Sequence, residues 1–359
     1  MDGIDTALVD FSSTLPQLIG SYDQQWPTAL RQALLNARKV PDDELDTLSD
    51  LDQQTARIFA HACSALLTKS GIKPQDVTAI GSHGQTIRHR PDIASPFSLQ
   101  IGNAKILAEL TGIDVISDFR TADIKAGGQG APLAPAFHQA VFSSKKLNRV
   151  IVNIGGISNI TRLAKDENLP AIGFDCGPGN TLMDAWIAKC KKQSYDKDGA
   201  FAASGKTSAR LLAHLLMDDF FQLAPPKSTG FEYFNVEWLH RKIKEAAIED
   251  ITDADIQSTL CDLTATSIIR AINQFAEGTD EIYICGGGAY NQALIKRLQA
   301  VTKCSVQTTG ALGVDPDRVE AMAFAWLAYR NIHGLAGNLP AATGANDAVV
   351  LGSLTSAQS

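Results

Sequence analysis

The residues best able to do chemistry are one acid and two glycine turns. Asp175 follows the apolar run Ile172-Gly173-Phe174 and precedes Gly177, Pro178 and Gly179, after which a helix begins near Asn180. A carboxylate at a strand end can handle a proton, bind a metal or cap the following helix. Upstream, RVIVNIGGISNITRL (149–163) reads as a strand, a tight Gly155-Gly156 turn and a returning strand. Val150, Ile151, Val152 and Ile154 are β-formers, and Ile157, Ile160 and Leu163 continue the apolar pattern after the turn. Downstream, the strand Glu281 to Cys285 breaks at Gly286-Gly287-Gly288 before a helix near Asn291. Without a Cβ, glycine lets peptide N–H groups approach a phosphate or a flat adenosine ring. Two such turns, each after a β segment, with an acid at a strand end, predict a nucleotide site.

Other polar groups stand at similar junctions. His83 lies in Gly81-Ser82-His83-Gly84-Gln85-Thr86, after the short strand Val77 to Ile80, and is read as a hydrogen-bonding group in a pocket. Arg120 and Asp123 open a loop with Gly127, Gly128 and Gly130 after the strand Asp114 to Phe119. A loop this rich in functional groups is expected to bind ligand rather than merely connect. Glu320, on the first turn of VDPDRVEAMAFAWLAY, is a favourable charge at a helix N-terminus and a site candidate only if that end faces a ligand. PPKSTGFEYFN (225–235) reads as a surface loop able to shape a substrate pocket with Phe231 and Tyr233. Ser204-Gly205-Lys206-Thr207 fails as a phosphate loop, because Ala200 stands where the motif needs glycine. Asp184, nine positions after Asp175, is the weaker acid, and His83 and His89 are too far apart in phase to share a metal. No zinc spacing, nucleophile elbow or dinucleotide fingerprint occurs, and no metal ligands are assigned.

The elements that would position these groups alternate between β and α. Ile58, Phe59, Ala62 and Leu66 repeat at helical spacing in a helix of roughly Asp50 to Lys69; Ile106, Leu107 and Leu110 are expected on one face of another; Ile268, Ile269, Ile272 and Phe275 stripe a third. At 359 residues the chain is long enough for ~2 domains at ~150 residues each. A formal charge of -7 argues against a nucleic-acid partner bound through a basic face. Six cysteines without a C-x-x-C pair suit buried thiols in a reducing compartment. No apolar run reaches the ~18 residues of a membrane helix, and the start lacks the regions of a signal peptide, so a cytoplasmic α/β protein without a membrane partner is expected.

Two separated glycine turns and strand-end acids suggest an actin-like ATPase or sugar kinase. SHGQTIRHRP, LQIGNAKILAELTG, DFRTADIKAGGQGAPLAP, VNIGGISNIT, FDCGPGNTLMDAW, PPKSTGFEYFN, ICGGGAYN and GNLPAATGA together resemble anhydro-N-acetylmuramic acid kinase, from His83 to Ala345. The resemblance implies an α/β fold of two actin-like (RNase H-like) domains around a central ATP and substrate cleft. The first domain would comprise residues 1–125 and 336–359, the second 126–335, with closure on substrate. It implies a reaction of peptidoglycan recycling in which 1,6-anhydro-N-acetylmuramic acid, ATP and water give N-acetylmuramic acid 6-phosphate and ADP, with Mg²⁺ assumed. On matching positions Asp175 would be the base that takes a proton from the attacking water. Asn153, Gly155 and Gly156 would belong to the second phosphate hairpin, and Gly286 and Gly287 to the adenosine loop. His83, Arg120, Asp123 and Glu320 would line the sugar pocket, and a homodimer is the fold-level expectation.

One departure stands out. The family begins with a strand and a loop of the type GTS-x-DG that forms the first phosphate hairpin, and this chain keeps only Asp2 and Gly3 of it. Its loss should expose the edge of the strand Ile4 to Phe11 and remove donors for the ATP phosphates. The rival expectations are therefore a weakened or non-catalytic nucleotide- or sugar-binding relative, and an actin-like kinase for another sugar.

Overall fold

The computed structural model describes residues 3–42, 44 and 48–358. The chain divides into two compact units, one of Met1–Val141 with Glu320–Ser359 and one of Phe142–Val319. The expected boundaries, 125/126 and 335/336, cut off one helix at each crossing. A helix at a crossing can pack forwards or backwards, and local sequence does not distinguish the two.

The first unit opens with β1 (Ile4–Asp10) and β2 (Gln17–Gln24), which pair antiparallel with Ile4 opposite Gln24. Among the described strands β1 pairs only with β2. β2 was not expected, because QLIGSYDQ carries glycine and few β-formers; its long-range pairing with β1 overrides weak propensity. Helices α1 (Thr28–Ala37) and α2 (Ser49–Ser70) follow, α2 ending at Gly71 in the left-handed conformation that glycine tolerates. Trp26, Leu30, Leu34 and Ala62 form a core with Ile4, Ile87 and Ile101. Next come β3 (Ile80–Gly81), β4 (Gln85–Arg90), β5 (Phe97–Ile101), α3 (Ala104–Thr111), β6 (Val115–Ser117), α4 (Thr121–Lys125) and α5 (Ala134–Phe142). Asn103 caps α3 by accepting from the Ile106 N–H. α3 turns Leu107, Ala108 and Thr111 inward and leaves Leu110 exposed, contrary to the expected face: its angular position falls just outside the buried arc.

The second unit is built on a five-stranded mixed sheet in the order β11-β10-β7-β8-β9. Its first strands are β7 (Arg149–Ile154), β8 (Ile157–Leu163) and β9 (Ile172–Pro178), joined by antiparallel ladders. Helices α6 (Thr181–Lys191), α7 (Ala200–Ser204), α8 (Ala209–Leu215), α9 (Val236–Ala246) and α10 (Asp253–Phe275) intervene before β10 (Glu281–Cys285), α11 (Gln292–Val301) and β11 (Ser305–Thr308). A reciprocal Thr252–Asp255 capping box starts α10. Val150, Val152, Ile154, Ile282 and Ile284 pack with Leu260, Leu263 and Ile268 of α10 in one core. The Lys206-Thr207 stretch is structural: the Lys206 N–H donates to Asp255 and the Thr207 hydroxyl to Asp262, both on α10. All six cysteines are free thiols, and no helix among the described residues is long and apolar enough to cross a membrane.

The chain returns to the first unit through α12 (Val319–Ile332), α13 (Pro340–Thr343) and β12 (Ser353–Thr355). β12 pairs antiparallel with β6, and β6 parallel with β3, to make the sheet β12-β6-β3. Phe324 of α12 packs at a tilt against His83 and Phe119, and Trp326 meets Phe137, so α12 belongs with the first unit.

Candidate functional site

In the second unit, parallel pairing of β7 with β10 sets Asn153 opposite Cys285, so the two glycine turns leave neighbouring strands at the same end of the sheet. α/β folds place ligands at the carboxyl ends of parallel strands. Gly286 has φ +76°, and a Cβ there would lie 2.4 Å from Asn153 Oδ1 and 2.9 Å from the Ile154 carbonyl oxygen. Only glycine lets the β10 turn press so close to the end of β7. At Gly287 a Cβ would meet only Asn180 Nδ2, at 3.9 Å, leaving an open backbone surface.

The β7–β8 turn is tied to α6 through its carbonyls. Gly155 O accepts from the Asn180 N–H at 2.8 Å, and Gly156 O from Gly179 at 2.8 Å and Thr181 at 3.1 Å. The N–H groups of Gly155 and Gly156 make no hydrogen bond among the described residues, so they remain as donors for an anion. Asn180 Nδ2 also donates to the Ile154 carbonyl at 3.3 Å, so this residue links α6 to the hairpin. The sequence reading assigned Asn180 no role. Its signal was its place at the start of a helix after Gly-Pro-Gly.

Asp175 sits on β9 at a bulge: Ser158 pairs with Gly177 and Asn159 with Asp175, leaving Cys176 as the extra residue. Bulges re-aim side chains and recur beside active sites. Asp175 does not cap α6, whose flanking residue is Asn180. Instead a distant strap holds it. The Asp175 N–H donates to Lys227 O at 3.1 Å, and the Thr229 N–H donates to Asp175 Oδ2 at 2.9 Å. Oδ1 accepts no hydrogen bond among the described residues. Burial pushes the carboxyl up to about 6, opposed by the Thr229 hydrogen bond and the Lys227 charge. That is the range in which a carboxylate works as a base near neutral pH. Lys227 and Thr229 were not singled out in the sequence. Asp184 lies one turn into α6, its N–H donating to Asn180 O.

In the first unit, Arg120 donates from Nε and Nη2 to His83 Nε2, at 3.3 and 2.9 Å, and from Nη1 to Gly130 O at 2.7 Å. His83 therefore accepts at Nε2 and carries its proton on Nδ1, and burial followed by the Arg120 charge pushes its pKa down to about 3. Burial also lowers the Arg120 pKa, and the charges of Glu320 and then Asp123 oppose that. Glu320 itself is exposed. Asp123 has no exposed surface: Oδ2 accepts from the Gly130 N–H, and Oδ1 from Asn338 Nδ2 and the Thr343 hydroxyl, each at 2.7 Å. It stands behind the glycine loop and fastens it to the segment around α13, with both carboxylate oxygens taken up by protein donors. His83, Arg120 and Glu320 are thus brought into one charged group with Asp123 beneath it. Gly3 lies beside the Gln24 carbonyl at the start of β1, and Asp2 lies outside the described residues.

Residues 1–357 match the family described as anhydro-N-acetylmuramic acid kinase. The chain belongs to the anhydro-N-acetylmuramic acid kinase family. Proteins of that name from Shewanella oneidensis and Shewanella baltica (strain OS223) are each 50% identical, over 359 and 360 residues, covering 100% of this chain and 96% of theirs. Full-length identity at this level favours the kinase over a non-catalytic relative or a kinase for another sugar. Solved structures are more distant. The activator of the 2-hydroxyisocaproyl-CoA dehydratase from Clostridium difficile is 11% identical with a TM-score of 0.44, covering 92% of this chain and 98% of its own. The ROK hexokinase from Thermus thermophilus is 13% identical with a TM-score of 0.33, covering 91% and 100%. In this chain the first unit holds the charged group at Arg120, and the second holds Asp175 before Gly177-Pro178-Gly179.

Proposed function

We propose that the chain opens 1,6-anhydro-N-acetylmuramic acid with water and transfers the γ-phosphoryl group of ATP to O6, giving N-acetylmuramic acid 6-phosphate and ADP, a step of peptidoglycan recycling. One observation carries the assignment of the base: Asp175 is aimed by a bulge, held through Oδ2, and has Oδ1 without a partner. Asp175 Oδ1 takes a proton from water as the water oxygen bonds to the anomeric carbon. The C1–O6 bond breaks, and its electron pair stays on O6. O6 then attacks the γ-phosphorus, whose bond to the bridging oxygen breaks as ADP leaves.

The N–H groups of Gly155 and Gly156 hold phosphate oxygens, and the open backbone at Gly287 receives the adenosine. Asn153 and Gly286 fix the distance between those two turns. Arg120 binds oxygen atoms of the sugar, and Glu320 and His83 orient it. Asp123 holds the loop that carries Arg120's second hydrogen-bond partner, Gly130. A Mg²⁺ ion carried by the nucleotide would supply charge neutralisation at its phosphates, beside the Gly155 and Gly156 N–H groups.

The test is steady-state turnover of Asp175→Asn with the anhydro sugar, ATP and Mg²⁺. The expected loss is ~10²–10⁴-fold, with nucleotide affinity close to that of the unaltered protein. Turnover near the unaltered rate would move the base elsewhere.

A further inference from the structure

The strap that holds Asp175 is itself anchored at two points on one short segment. Lys227 Nζ donates to the Phe220 carbonyl at 3.2 Å and lies 4.7 Å from the centre of the Phe220 ring. Farther along, the Tyr233 hydroxyl donates to Asp218 Oδ1 at 2.6 Å. Asp218 is buried and also receives Trp238 Nε1 at 2.9 Å and Lys242 Nζ at 3.1 Å, so the platform is fixed to α9. Between the two anchors the strap runs along β9, exchanging the Asp175 N–H to Lys227 O and Thr229 N–H to Oδ2 bonds.

We propose that Lys227 is a positioning residue for this reaction: clamped on Phe220, it holds the strap so that Thr229 occupies Asp175 Oδ2 and leaves Oδ1 as the oxygen that takes the proton, while its charge favours the carboxylate. The proposal rests on Asp175 being the base. It also accounts for the chemistry of the clamp. The ammonium contacts a carbonyl oxygen and a ring, without directly pairing with the acid. A direct Lys–Asp ion pair would hold the carboxylate too weakly basic to take a proton. At one remove, the cation offsets part of the burial cost and leaves the base competent. Among the described residues the charged group acting on Asp175 is Lys227 on the strap; the Cys176 thiol beside it on β9 is itself pushed up by burial and then by the Asp175 charge, and β8 presents Asn159, which does not titrate.

The experiment measures the pH dependence of kcat/KM for the anhydro sugar, on the full chain, for Lys227→Met, Lys227→Arg and Asp175→Asn. Without the cation the carboxylate protonates more readily, so the acid limb in Lys227→Met moves to higher pH by roughly half a unit to one unit. Plateau kcat falls ~10-fold because Oδ2 is no longer pinned, and KM for ATP changes by less than ~2-fold. Lys227→Arg keeps the limb in place. Lys227→Gln retains a donor for the Phe220 carbonyl without charge and shows the same shift should the methionine variant fold poorly. An unmoved limb in the uncharged variants, with Asp175→Asn inactive, overturns the proposal and leaves the base assignment standing. An active Asp175→Asn overturns the base assignment itself.

Discussion

Replacing Asp175 by Asn should stabilise the protein at neutral pH while disabling it. Asn has the same shape, and its Oδ1 can keep the hydrogen bond from the Thr229 N–H, so the change removes charge without opening a cavity. In the folded protein burial raises the Asp175 pKa from 3.8 to about 6. Each unit is worth ~1.4 kcal/mol, so the ionised carboxylate destabilises the fold by up to roughly 3 kcal/mol above pH ~6. Because the side chain is only half-buried, screening reduces this to about 1–3 kcal/mol. The sign follows from linkage. The folded pKa lies above the unfolded one, so the carboxyl's stability contribution is fully present below pH 3.8 and is lost as pH rises through about 6. The gain from Asn should therefore be small near pH 4, grow through pH 5–6 and level off above pH 7, at roughly 3–9 °C in the melting temperature of a unit this size. Thermal melts of both proteins across that range provide the assay. A melting difference that does not change with pH, or an Asn variant less stable at pH 8, would refute the reasoning that burial dominates at this site.

Gly286→Ala should cost about 2–4 kcal/mol, from a disallowed φ of +76° and a Cβ 2.9 Å from a backbone oxygen, read as a lower urea midpoint. Gly287→Ala has open space and should leave stability within ~0.5 kcal/mol while weakening ATP binding in calorimetric titration. Arg120→Lys cannot serve His83 and the Gly130 carbonyl at once, and should raise the sugar KM ~10-fold or more with KM for ATP unchanged, as steady-state kinetics would reveal.

Much of the site's local framework was legible because its causes are local. The β-formers around Gly155-Gly156 yield β7, a turn and β8, and the apolar run before Gly286 yields β10. The helix of roughly Asp50 to Lys69 appears as α2, Ser49–Ser70, because its apolar spacing repeats over several turns. Asp175 stood out because an acid closing an apolar strand before Gly-Pro-Gly needs an explanation wherever the chain goes next. β2 was missed because its residues carry little β signal of their own.

Tertiary structure decided what each group does. The same carboxylate chemistry sits at Asp123 and Asp175, and both were expected to face ligand. Asn338 and Thr343, more than 200 residues away in sequence, bury the first beneath its loop. The second keeps one oxygen without a protein partner because the strap supplies a single N–H. Whether β7 lies beside β10, which brings two distant glycine turns together, depends on pairing across 131 intervening residues or so, a choice that hydrophobic pattern leaves open. By itself the sequence determined most of the elements around the site, which residues carry charge and, through its motifs, which family the chain belongs to. Which carboxylate is free to work, and how strongly it holds a proton, was decided by partners that only folding brings within hydrogen-bond range, because desolvation and hydrogen bonding act through space and not along the chain.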